Sequence, residues 1–384
     1  MLINSSGLPG IYIHVPFCIR RCGYCDFYSQ TDLRLRNKYI SALLKEIDIY
    51  ASELNNPVIF DTIYLGGGTP SLLSINHITQ ILNKIYSRFR ISNDAEITLE
   101  MNPGSLEAKK MADFYQAGIN RLSIGVQSFH IDELAFLERI HSVNDALLTI
   151  ETARKAGFDN ISIDLIFGLP SQTPQKWNSN LEKAVEFSPE HISTYNLTIE
   201  KETNFYQRMQ NGELMIQNDE NLAGLFIQTL NVLQKNGYRP YEISNFAKSE
   251  LYHSRHNIKY WQHVPYLGFG PSAHSYWDEK RWWNFDDIAL YINMLNKEIK
   301  PVKGEEEIDR QTKEFESIML ELRTYQGISL DKFYSRFNHR FTETYSNKVN
   351  MLIEKGLAEI KDGFFRLNYQ GMLISDEIFS DFNN

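Results

Sequence analysis

The residues with the most chemistry in this chain are Cys18, Cys22 and Cys25, its only three cysteines, which fall within eight positions in the run YIHVPFCIRRCGYCDFYSQ. Their C-x3-C-x2-C spacing gathers thiolates as a soft metal centre needs them. A [4Fe–4S] cube normally takes four protein thiolates, one per iron. Three leave one iron open to some other ligand. A structural zinc site with His14 as fourth ligand competes with that reading. Such sites usually pair two short ligand clusters far apart in sequence, and no second cysteine cluster exists here. Inert buried thiols are a third reading, since free cysteine is among the most buried residue types. Disulfides are disfavoured by the odd count and by an N-terminus, MLINSSGLPG, without the basic-then-apolar pattern of a secretory signal.

Something must hold that loop. Short β-branched or aromatic runs at 11–17, 62–66, 96–100, 121–127, 161–167 and 191–197 alternate with amphipathic stretches such as 38–54, 75–89, 106–117 and 144–156. Regular strand–helix alternation predicts parallel strands joined by crossover helices. Six such units predict an α/β fold of the (β/α)6 kind, a TIM-type barrel or partial barrel rather than a flat sheet. Functional residues of such barrels collect at the C-terminal ends of the strands. The cysteine loop follows the first predicted strand; Gly66–Pro70 ends the second, Glu100 and Asn102 the third and Gln127 the fourth, while Asp164 lies in the fifth. Each has a plain alternative: GGGTP as a simple strand-to-helix turn, the carboxylates as helix caps, Arg139 as a solvated helix charge. Their shared placement at one mouth argues for a site.

The cysteine loop, the GGGTP turn and the strand-end glutamate resemble the radical S-adenosylmethionine (SAM) superfamily. More narrowly, IYIHVPFCIRRCGYCDFYS, YLGGGTPS, GVQSF, IDLIFGLP and the C-terminal segment are similar to oxygen-independent coproporphyrinogen dehydrogenases and their HemW-type haem-chaperone relatives. The resemblance implies that Cys18, Cys22 and Cys25 bind three irons of a [4Fe–4S] cluster whose fourth iron is chelated by the methionyl amine and carboxylate of SAM. It implies further SAM contacts at Tyr12, Tyr24, Gly67, Gly68, Thr69, Glu100, Gln127, Arg139 and Asp164. In radical enzymes of this superfamily the reduced cluster cleaves the sulfonium to start hydrogen abstraction, and the protein supplies aim and exclusion of water.

Two departures place the chain nearer the HemW-type branch, which is thought to bind haem and pass it to acceptors. The dehydrogenases resemble C-x3-C-x2-C-x-C, but Phe27 occupies the last of those positions here, and their longer N-terminal extension is missing before Ile11. The segment HNIKYW, with His256, Asn257, Tyr260 and Trp261, matches an HNxxYW motif of that branch linked to haem. Four of five tryptophans and four of ten histidines lie between Tyr252 and Trp283. That density reads as either a packed aromatic lid or a porphyrin face. His256 is the haem-linked candidate, ahead of His253, His263 and His274. The resemblance makes haem and a haem-acceptor protein the expected partners. It leaves open a membrane-associated acceptor and either a monomer or a homodimer. The alternative function is radical oxidative decarboxylation of coproporphyrinogen III.

The texture changes near Thr312. Helical patterns at 312–323, 329–337 and 344–355 precede GLAEIKDGFFRLNYQG, a hairpin pattern around Asp362 and Gly363. This predicts a small winged-helix-like α+β domain at 312–384, after a core at 1–240 and an aromatic, histidine-rich segment at 241–311. Nucleic-acid binding is opposed by charge. The terminal segment carries 9 Lys+Arg against 11 Asp+Glu, and the whole chain has a formal charge of −9. No apolar run approaches the roughly 18 to 20 residues of a membrane span, so a cytoplasmic, reducing location is expected.

Overall fold

Polar and apolar residues alternate along each strand, and in the computed structural model, which describes residues 7–54 and 58–382, that alternation builds the barrel wall. Most of the MLINSSGLPG run lies outside the described residues. Strands β1 (Gly10–Val15), β2 (Ile59–Gly67), β3 (Arg90–Met101), β4 (Arg121–Gln127), β5 (Ile161–Phe167) and β6 (His191–Asn196) pair in parallel, each with its sequence neighbour. Ile11, Ile13, Ile63, Leu65, Ile97, Leu99, Leu122 and Ile163 sit in the main hydrophobic core. The intervening positions, Tyr12, His14, Tyr64, Glu100, Ser123 and Asp164, therefore share the opposite, concave face.

The sheet stays open. Beyond β6 come the short strands β7 (Arg239–Pro240) and β8 (Asn245–Ala247), with β8 antiparallel to β6. On the free side of β1 the segment expected as a lid or porphyrin face continues the sheet. It forms β9 (Tyr266–Phe269), parallel to β1, then β10 (His274–Trp277), β11 (Lys280–Asn284) and β12 (Val302–Glu307), all antiparallel. The result is one twelve-stranded sheet. The helix expected at 106–117 breaks into Ser105–Ala108 and Met111–Gln116.

The C-terminal module has its own core, including Ile318, Leu322, Phe333, Phe337, Phe341 and Phe365. Helices Arg310–Glu321, Leu330–Phe337 and Ser346–Glu354 surround a three-stranded sheet of β13 (Ile328–Ser329), β14 (Ala358–Lys361) and β15 (Phe364–Leu367). Asp362 and Gly363, at φ 52° and 80°, turn the β14–β15 hairpin as the sequence predicts. No helix among the described residues is long and apolar enough to cross a membrane.

Candidate cofactor site

The cysteine loop is pinned at its base, where Gln30 N donates to Pro16 O at 2.7 Å and Cys18 N to Gln30 O at 3.0 Å. The GGGTP turn docks against it: Gly68 N donates to Val15 O at 2.9 Å and Thr69 N to Phe17 O at 2.8 Å. The glycines are needed for that approach. A Cβ on Gly68 would lie 2.7 Å from Phe17 O and 3.0 Å from Cys18 Sγ. Gly67 has φ +106°, and its Cβ would strike the His14 imidazole.

From this turn a chain of polar contacts crosses the mouth. Thr69 Oγ1 lies 3.7 Å from Cys18 Sγ and accepts from Asn102 Nδ2 at 2.9 Å. Asn102 Oδ1 accepts from Arg139, which also donates to Gly125 O at 3.1 Å and reaches Tyr24 OH at 3.4 Å and Cys22 Sγ at 3.8 Å. Gln127 joins the group from a bulge at the end of β4, in the left-handed region at φ 66°, a strained conformation for a residue with a side chain. A Cβ on Gly125 would meet Gln127, Asn102 and Arg139 together, so glycine leaves the room they share.

The carboxylates stand deeper. Glu100 accepts from Tyr64 OH at 2.7 Å and Gly67 N at 3.1 Å. Burial, reinforced by neighbouring Asp164 and opposed by those hydrogen bonds, raises its pKa to about 7. Asp164 accepts from Ser123 at 2.7 Å and Ser162 at 2.9 Å. Tyr12 OH donates to His14 Nδ1 at 3.1 Å, and His14 Nε2 donates to Tyr28 O at 2.9 Å. With both nitrogens engaged, His14 does not offer the fourth donor that a zinc site requires. A tetrahedral zinc also needs sulfurs about 3.8 Å apart, given zinc–sulfur bonds of about 2.3 Å. Among the described residues no three His, Cys, Asp or Glu side chains are grouped to hold one ion. A cube fits the donor set better, because it takes one thiolate per iron and spreads them over a larger body. Arg139 Nε and Arg121 Nε and Nη1 are buried without hydrogen-bond partners, donors that a carboxylate or hydroxyl ligand would satisfy.

Cys18, Cys22, Cys25, Tyr24, Gly68, Thr69, Gln127 and Arg139 are thus brought together, with Gly67, Tyr12, Glu100 and Asp164 lining the space behind them. Sequence reading noted Asn102 at a strand end without giving it a role, although it is the hub between Thr69 and Arg139. Tyr64 and Arg121 were missed, since nothing local marks them as facing the lumen.

His256 lies elsewhere. Helix Arg255–Trp261 crosses the N-terminal ends of β1–β3, opposite the cysteine loop. Its first N–H groups, of Arg255 and His256, donate to Glu96 at 3.1 Å each, while Arg255 and Lys259 both hold Asp61 at 2.8 and 2.5 Å. The His256 ring points into the barrel floor, 5.1 Å from the Tyr64 ring. Its Nδ1 is bonded to Thr62 at 2.8 Å and its Nε2 to Tyr260 OH at 2.9 Å. In this arrangement neither nitrogen is available to haem iron, and the HNIKYW segment acts as a plug.

A parallel partial barrel with a three-cysteine loop at its mouth defines a radical SAM protein. Residues 12–184 match the Radical SAM superfamily and residues 308–374 the HemN C-terminal domain. The chain is 34% identical over 373 residues to "Heme chaperone HemW" of Bacillus subtilis, covering 97% of this chain and 98% of that protein. It is 32% identical over 373 residues to the HemW of Lactococcus lactis, covering 97% and 96%. The chain belongs to the HemW family. Its fold is also that of coproporphyrinogen III oxidase (HemN) from Escherichia coli, a radical SAM enzyme, with a TM-score of 0.84 at 22% identity over 98% of this chain and 90% of that one.

Proposed function

We propose that this protein is a haem chaperone that carries a [4Fe–4S] cluster and SAM at the barrel mouth, binds haem and delivers it to an acceptor protein. Cys18, Cys22 and Cys25 hold three irons, and the fourth is left to the amino-acid end of SAM. The cluster, when bound, supplies the electron that can cleave the sulfonium. The protein's own part is placement. Gly67, Gly68 and Thr69 would line the methionyl end of SAM, and the Tyr24 backbone would face its adenine. Tyr12, Glu100, Gln127, Arg139 and Asp164 offer acceptors and donors to the amine, carboxylate and ribose.

The observation that carries the SAM part is the unbroken contact path Cys18–Thr69–Asn102–Arg139–Cys22, which ties two thiols to the strand ends that would cradle a nucleoside. The haem part rests on the relatives named heme chaperones across nearly the whole chain. Phe27, exposed on the loop, stands where the dehydrogenases resemble a further cysteine. The test uses anaerobically reconstituted protein. Iron and labile sulfide near four per chain, an EPR signal altered by SAM, and saturable haem binding are expected. Robust protoporphyrinogen formation from coproporphyrinogen III would instead make it a dehydrogenase.

A further inference from the structure

The outer flank of the sheet holds a cavity of about 420 Å³, within the range of about 300 to 1,000 Å³ typical of small-molecule sites. It lies where β9–β11, the helix Arg255–Trp261 and the C-terminal helix Arg310–Glu321 meet. Its walls include the rings of Tyr260, His263, Tyr266, His274, Tyr276 and Trp283. Tyr260 stands edge-on to Tyr266 at 4.7 Å, His263 edge-on to Tyr276 at 5.3 Å, and His274 stacks on Trp283 at 5.8 Å. Flat rings on several sides suit a flat apolar macrocycle. Arg281 lies at the edge, paired with Glu306 at 2.8 Å and Glu316 at 2.6 Å, where a ligand carboxylate could exchange for the more exposed Glu306.

The imidazoles differ in availability. His256 has both nitrogens bonded inside the floor. His263 is buried with neither nitrogen hydrogen-bonded, its Nε2 3.3 Å from Glu316, so it differs from His274 in access rather than in pairing. His274 is exposed, and neither of its nitrogens has a hydrogen-bond partner among the described residues. Desolvation on the covered side of the ring, with the charge of Arg281, lowers its pKa and so favours the neutral ring that carries a lone pair. Strand register sets its direction. Tyr12 pairs with Gly268, Gly268 lies against His274, and His274 pairs with Trp283, so these residues share the concave face. Gly268 keeps that row open, since a Cβ there would lie 2.0 Å from His274 O.

We infer that this cavity is the haem site and that His274 is the axial nitrogen donor to the iron, with Trp283 stacked on the imidazole to hold its direction and Tyr260 as a ring wall. This rests on the haem-chaperone reading above. It gives HNIKYW an indirect part: His256, bonded to Tyr260, is a positioning residue for one wall rather than a ligand.

The test is titration of full-length reconstituted protein with ferric haem, followed by Soret absorption and low-temperature EPR. Wild type should bind saturably with an imidazole-ligated spectrum. Losing a direct ligand should cost at least what losing an outer partner does, so His274→Ala should bind about 10- to 100-fold more weakly and lose that spectrum. His274→Met should bind with a shifted, thioether-ligated spectrum. His256→Ala should weaken binding yet keep the imidazole spectrum. Wild-type cluster iron and SAM response in each variant will show an intact core. Haem binding by His274→Ala with wild-type affinity and spectrum would overturn the inference and leave the haem-chaperone reading standing. A wild type that binds no haem would overturn that reading and this inference with it.

Discussion

Arg139→Met asks whether the polar path across the mouth holds the site together. The guanidinium is buried, and its well-formed contacts are those to Asn102 Oδ1 and Gly125 O; those to Tyr24 and Cys22, at 3.4 and 3.8 Å, are weak by geometry. Methionine keeps most of the aliphatic bulk, so the packing change is small. Two buried acceptors then lose their donor, at about 1–3 kcal/mol each. Removing a buried charge whose Nε already lacks a partner offsets part of that. The net expectation is a destabilisation of about 1–3 kcal/mol, read as a lower urea midpoint at unchanged slope. Asn102 would also lose its anchor, so SAM should no longer perturb the cluster EPR signal even where iron content is normal. Arg139→Lys should fall between the two. An unaltered urea midpoint together with a wild-type SAM response would refute the reasoning.

Three further outcomes are expected. Gly68→Ala should lower cluster iron well below wild type, because its Cβ meets Phe17 O, a backbone atom fixed by Thr69 N; full iron loading would contradict this. Glu96→Gln sets an amide donor against one of the two N–H groups at the start of the floor helix, and should cost about 1–3 kcal/mol in urea unfolding while leaving cluster iron intact. Glu100 has its pKa raised from 4.5 to about 7, so the folded state binds more protons than the unfolded one between those values, and stability is lost as pH rises through them. Glu100→Gln removes that slope: its stability relative to wild type should improve between pH 4.5 and 7, and a difference independent of pH would argue against the raised pKa.

Much of this was legible because it is local. The β4 and β5 runs, LSIGVQ and ISIDLIF, carry their own apolar-to-polar rhythm, and three cysteines in eight positions need no tertiary context. The strands β9–β11 were not legible. YLGF, HSYW and KRWWN are short, aromatic and Gly-interrupted, and they become strands by pairing onto the free edge of β1. His256 is the clearest case of information held far away. Its partners Thr62 and Glu96 lie 194 and 160 residues from it, so the sequence displays a histidine among aromatics and conceals that both nitrogens are taken. Asn102 acquires meaning only when Arg139, 37 residues on, folds back to it.

Strand β1 is paired along Gly10–Ile13 on both sides, to β2 and to β9, and runs directly into the cysteine loop. There is consequently no hinge between the iron-binding end and the aromatic flank. A shift of one drags the other through continuous ladders. The C-terminal module meets the flank through side chains instead, chiefly Glu316 clasping Arg281 and His263. Next to β7 the module is tied by backbone as well, Tyr325 N donating to Tyr241 O at 3.1 Å, so any opening of the flank seam pivots there, with the sheet as the rigid partner.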